Sequence, residues 1–218
     1  ITALSGLEIN QAMLIMGQVL NAAIGLSVYT LGKKLFKDWR PALGSGLLVS
    51  FVTRMPAYCP TWGRYTLITG LVLLPLAMSA AIGLLDGKNK IRGSLILALL
   101  TGAVLLTHYF AALLLGLFLV IIIIVFLLKN RHDFRDAVNR GLVVGAAAAT
   151  GLFIASPWLI RVIRYSTLNT GVAVNLPESL SAVIADPGEL EYIRNLLGPA
   201  SSHWLLVAGG VGLILGLI

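Results

Sequence analysis

Residues 94–128 read SLILALLTGAVLLTHYFAALLLGLFLVIIIIVFLL, thirty-five residues with no Asp, Glu, Lys or Arg and a single histidine, His108. The apolar character is continuous, with Ile121-Ile122-Ile123-Ile124-Val125 at its densest. It lacks the strand-period alternation of an outer-membrane barrel, so it predicts helix. One helix of that length would measure about 52 Å, against a hydrocarbon core of ~30 Å. A single crossing would also leave the basic stretches 86–92 and 129–140 on opposite sides of a membrane. A break at Thr107-His108-Tyr109 resolves both conflicts. It gives two segments, 94–107 and 109–128, of which the first is short.

The rest of the chain has the same character. Hydrophobic residues make up 58% and charged residues 11%, where a soluble domain carries about 25% charge. Mean hydropathy is +0.93. The expected fold is therefore all-α: one polytopic transmembrane bundle over 1–218 with seven segments, at 10–32, 41–54, 65–85, 94–107, 109–128, 141–160 and 203–218. Two of these, 41–54 and 94–107, are short, which membranes tolerate where the backbone ends against protein or a water-filled cavity. The chain starts without Met and stops inside an apolar run, which suggests a piece of a longer protein.

Charge orients these segments. Loops 33–40, 86–92 and 129–140 hold eleven of the 16 Lys and Arg residues. With seven alternating segments all three fall on one side, and the positive-inside rule makes that side cytoplasmic, in a prokaryotic inner membrane. Those eleven cations and four aspartates leave +7 inside, while the other side balances to zero. The net charge of +7 thus has a topological explanation, and no basic tail or aromatic-basic repeat points to nucleic acid. Cys59 is the only cysteine, which excludes an intrachain disulfide, and no Cys/His spacing suggests a metal site.

Three further stretches carry organisation. Gln11, Gln18 and Asn21 give the first segment a polar face suited to helix–helix hydrogen bonds. The dense small residues from Gly145 to Gly151 suit close packing, either within the bundle or against partner membrane subunits. Residues 161–202 read as an external loop, with Asp186 and Pro187 opening a short surface helix near 188–197.

The candidate chemistry lies on the external side. Met55-Pro56-Ala57-Tyr58-Cys59-Pro60-Thr61-Trp62-Gly63-Arg64-Tyr65 is a proline-punctuated aromatic turn between two apolar runs. An arginine at a membrane boundary can pair bidentately with a phosphate or carboxylate. Trp62, Arg64 and Tyr65 are therefore candidates for binding a lipid phosphate. His108 and Tyr109 join them at the helix break, where ionisable groups tend to be functional. Arg161 and Arg164 lie on the same side. The competing reading is an aromatic belt with snorkelling arginines, which suits Trp158, Tyr165 and Trp204 well. The predicted segments contain no Asp or Glu from which a carboxylate pair could be built.

Asn21-Ala22, Met55-Pro56-Ala57-Tyr58, Trp62-Gly63-Arg64-Tyr65-Thr66, Gly70-Leu71-Val72-Leu73-Leu74-Pro75 and Leu105-Leu106-Thr107-His108-Tyr109 follow in an order similar to the GT-C superfamily of polytopic membrane glycosyltransferases. The resemblance covers about 1–130 well and 150–218 loosely. It implies transfer of a sugar from a polyprenyl-phosphate carrier on the extracytoplasmic face. It also implies that the catalytic acid sits in a first external loop preceding Ile1. Arg64 would then contact the carrier phosphate, with Arg161 or Arg164 as helpers. Trp62 and Tyr65 would shape the groove, and His108 would face the reaction centre. The alternative is a non-catalytic integral membrane subunit of a larger complex, of the energy-transducing kind, docking through the Gly145–Gly151 face.

Overall fold

A computed structural model describes residues 6–53, 59–60, 63–87 and 90–169. The described residues are helical, without strands: α1 (Ile9–Phe36), α2 (Trp39–Leu47), α3 (Tyr65–Leu85), α4 (Lys90–Thr107), α5 (Tyr109–Lys129) and α6 (Phe134–Asn169). Five of them, all but α2, are long and apolar enough to cross a membrane. The protein is thus an integral, multi-pass helical membrane protein. The expected seventh segment at 203–218 and the surface helix near 188–197 lie outside the described residues.

The break inside 94–128 falls at His108, whose extended backbone (φ −159°) separates α4 from α5. Boundaries differ from expectation in three of the long helices, of which α1 runs four residues past 32, to Phe36. The second of the two segments expected to be short begins at Lys90 and reaches 18 residues, because Lys90 and Arg92 enter its first turn and can snorkel outward from there. The last long helix begins at Phe134 and runs to Asn169, so the first nine residues assigned to the 161–202 loop are helical. Hydropathy marks where lipid ends, and a helix with satisfied backbone can continue past that point.

The second segment is short, as its composition predicts, and is irregular as well. Lys37 takes a left-handed conformation (φ 56°), and Asp38 then caps α2 by accepting from the Arg40 amide at 3.0 Å. After nine residues α2 widens into a π-helical turn, Leu48–Val52. Side chains help satisfy its loosened carbonyls: Ser50 Oγ donates to Gly46 O and Thr53 Oγ1 to Val49 O. Small residues let α2 lie close against α1. A Cβ at Gly32 would stand 3.2 Å from the Ala42 Cβ, and one at Gly46 would stand 2.8 Å from the Gly25 carbonyl oxygen. The chain then reaches Pro60, which rests on Gly17 toward the far end of α1.

The central helix is α3. Half of its apolar window is buried, against 17% for α5. Leu74, Ala77, Ala81, Leu84 and Leu85 of α3 meet Leu97 and Val104 of α4, Ala111, Leu115 and Leu119 of α5, and Val144 and Ala147 of α6 in one core. A second cluster joins Ile24 of α1 to Cys59, Leu67 and Ile68. The polar face expected of α1 is mostly turned outward: Gln11 and Gln18 are exposed, and the buried Asn21 Oδ1 has no hydrogen-bond partner among the described residues.

Candidate functional site

The turn before α3 is built from its backbone. The Gly63 amide donates to Pro60 O and the Arg64 amide to Cys59 O, each at 3.1 Å. Gly63 has φ +66°, a conformation that glycine adopts without cost. The Arg64 carbonyl then accepts from the Ile68 amide and starts α3. α1 buttresses this turn. Cys59 is buried against Ile24, Leu67 and Ile68, and a Cβ at Gly17 would stand 3.2 Å from both the Pro60 Cβ and the Tyr65 ring. Burial pushes the Cys59 thiol up, and the Arg64 guanidinium pulls it partly back. Arg64 is exposed and Tyr65 half-buried. Trp62 and residues 54–58 lie outside the described residues.

His108 is the N-cap of α5. Its Nδ1 accepts from the Phe110 amide at 3.2 Å, and its ring stacks on Tyr109 at 4.7 Å between centroids. Tyr109 is exposed. Capping an unpaired amide is a sufficient structural reason for a polar residue here. The break is lodged against α3, because a Cβ at Gly70 would meet the Ala111 Cβ and Thr107 Oγ1, at 2.7 and 2.9 Å. Arg64 stands six residues, about 9 Å of helix axis, beyond that contact. The structure therefore gathers Arg64, Tyr65, His108 and Tyr109 at one end of the bundle.

Arg161 and Arg164 are both exposed on α6. They are one turn apart and so share a face. Gly151 packs on Ala98 and Gly102 of α4. Arg161 is ten residues beyond that contact, about 15 Å, while α4 ends after about 8 Å. The arginine pair therefore stands further out along the axis than His108. The small-residue run on α6 is divided: Ala147 and Gly151 are buried, whereas Gly145, Ala146, Ala149 and Thr150 are exposed.

Residues 37–38, 86–87 and 130–133 lie together at the opposite end. Lys34 Nζ would be 3.2 Å from a Cβ at Gly83, and Arg140 Nη1 donates to Leu85 O at 3.0 Å. Arg140 also pairs with Asp136 at 2.6 Å. Two cavities at this end escaped the sequence reading. One, of about 290 Å³, is lined by Asp86, Asn130, Asp133, Asp136 and Arg140 among others. The other, of about 450 Å³, lies between α1, α3 and α4. A signal for the second was present: Lys34 and Arg92 are membrane-proximal cations of two different loops, and Ser79 and Gly83 share a face of α3. Among the described residues, no group of three His, Cys, Asp or Glu side chains is placed to hold a metal. Compared with known proteins, the chain matches no family model, and no curated protein or solved structure shows significant similarity to it.

Proposed function

We propose that this chain is the membrane domain of a GT-C-type glycosyltransferase. It takes a sugar from a polyprenyl-phosphate carrier on the extracytoplasmic face of a prokaryotic inner membrane. It crosses seven times, with loops 33–40, 86–92 and 129–140 in the cytoplasm. The observation that supports this most is the exposed Arg64 on a turn braced by Cys59, Pro60 and Tyr65 against α1. A guanidinium held at a membrane boundary pairs with a phosphate and stabilises the charge that grows on it as the sugar leaves. Tyr65 and Trp62 shape the carrier's path, Tyr109 and His108 border it, and Arg161 and Arg164 draw the headgroup in from further out.

Arg64→Ala should reduce transfer from a polyprenyl-phosphate sugar at least a hundredfold, with insertion and melting unchanged. Arg64→Lys should keep part of the activity, since a point charge remains but the fork is lost. Wild-type transfer by Arg64→Ala would overturn the role.

A second reading, an integral subunit of a larger membrane complex, is favoured by the exposed strip Gly145, Ala146, Ala149 and Thr150 on α6. Small residues in lipid let another helix approach closely. The native mass of the particle extracted in mild detergent separates the two: a stoichiometric assembly supports the subunit, and a lone chain counts against it.

A further inference from the structure

The 450 Å³ groove between α1, α3 and α4 has the form of a phospholipid site. Its floor is apolar, made by Leu76, Ala80, Ile96 and Leu100. At the end nearest the basic connections it is bordered by Lys34 of α1 and by Arg92 of the first turn of α4, mainly through their aliphatic stems. Neither cation forms an ion pair with a described residue. Gly83 leaves room for the Lys34 ammonium, which would lie 3.2 Å from any Cβ there. Between that end and the floor sits Ser79, 7% exposed, whose buried Oγ has no hydrogen-bond partner among the described residues. A buried hydroxyl without a partner is costly, unless something else in the groove accepts its proton.

We propose that this groove holds one acidic glycerophospholipid from the leaflet at the basic-loop end. Its phosphate sits between Lys34 and Arg92, near the first turn of α4. Ser79 is one turn deeper than Gly83, about 6 Å, where an ester carbonyl of the lipid accepts its hydroxyl proton. One acyl chain runs down to Leu100, eight residues or about 12 Å past Arg92, within the ~15 Å of a single leaflet. The charge of Lys34 and Arg92 selects an acidic headgroup over a zwitterionic one. This site is independent of the Arg64 site and of the glycosyltransferase reading.

The test is native mass spectrometry of the full chain released from nanodiscs of mixed phosphatidylglycerol and phosphatidylcholine. Wild type should retain one phosphatidylglycerol per chain, at least tenfold over phosphatidylcholine. Lys34→Gln with Arg92→Gln should abolish that preference, and Ala80→Phe should expel lipid of either kind. Wild-type melting should also rise in phosphatidylglycerol, a readout that needs no variant. Equal retention of the two lipids by wild type, or an undiminished preference in the double variant, would overturn the proposal. So would a retained polyprenyl phosphate in place of a phospholipid. Loss of transfer in Arg64→Ala with phosphatidylglycerol still bound keeps the two sites distinguishable.

Discussion

Gly151 and Gly145 stand six residues apart in the same small-residue run, yet only one has a neighbour that a side chain would disturb. A Cβ at Gly151 would collide with the Ala98 carbonyl and stand 2.7 Å from the Thr101 Cβ, whereas one at Gly145 meets nothing within 4 Å. Both colliding groups belong to the backbone and first side-chain atoms of α4, which cannot swing aside. Gly151→Val should therefore force α4 and α6 apart and cost about 2 kcal/mol, the usual scale of overpacking. Gly145→Val should leave stability unchanged. Thermal unfolding of the two purified variants checks this, and equal melting would contradict the α4–α6 contact. Composition could not separate the two glycines, because both sit in a run of alanines and the sequence alone does not say which face meets a neighbour. The role of His108 was half-legible in the same way. Its place at a break could be read from length and charge, while the cap to the Phe110 amide depends on a ring geometry that spacing does not encode.

At the scale of elements, the strength of the sequence pattern decided what was visible. The break in 94–128 followed from length and charge and the span 65–85 from hydropathy, and α3 occupies Tyr65–Leu85. The polar beginning of α6 was hidden, because the Asp136–Arg140 pair at i, i+4 supports helix where hydropathy reads loop. The π-turn Leu48–Val52 was hidden too, since its apolar residues look like ordinary helix. The antiparallel seating of α2 on α1 yields a direct check. With Cys59 changed to Ser, the pair Gly32→Cys and Ala42→Cys should oxidise to a disulfide. The 3.2 Å between their Cβ positions is close to the ~3.8 Å that a disulfide spans, and a small backbone shift supplies the difference. A gel shift after mild oxidation reads the bond. No bond in folded protein would move α2 away from α1.

At the scale of the whole molecule, the structure has two polar ends of different make. One gathers Arg64, Tyr65, His108 and Tyr109. The other gathers the basic connections and a groove bordered by Lys34 and Arg92. The first could be anticipated, since its residues interrupt apolar runs conspicuously. The second could be anticipated in part: the charge pattern puts its basic connections on one side, whereas Lys34, Ser79 and Arg92 come from three helices and line one groove only after packing. The small residues that bring those helices together, Gly25 against Gly46 and Gly102 against Gly151, also explain how a chain with so little buried large side-chain volume holds its helices in place.

α4 has a consequence for the bilayer itself. After Arg92 its uncharged stretch, Gly93 to Thr107, is fifteen residues, about 22 Å, whereas the twenty-one residues of α3 cover about 31 Å. Leu95, Leu99 and Leu106 of α4 are nonetheless exposed. Lipids beside that helix therefore face a hydrophobic mismatch of roughly 8 Å against a ~30 Å core, and must compress, or the helix ends must pull headgroups inward. The protein dents the membrane on one flank. Its melting temperature in phosphatidylcholines of graded chain length should peak at shorter acyl chains than α3 alone would prefer; a maximum in the longest lipids would show the flank undented.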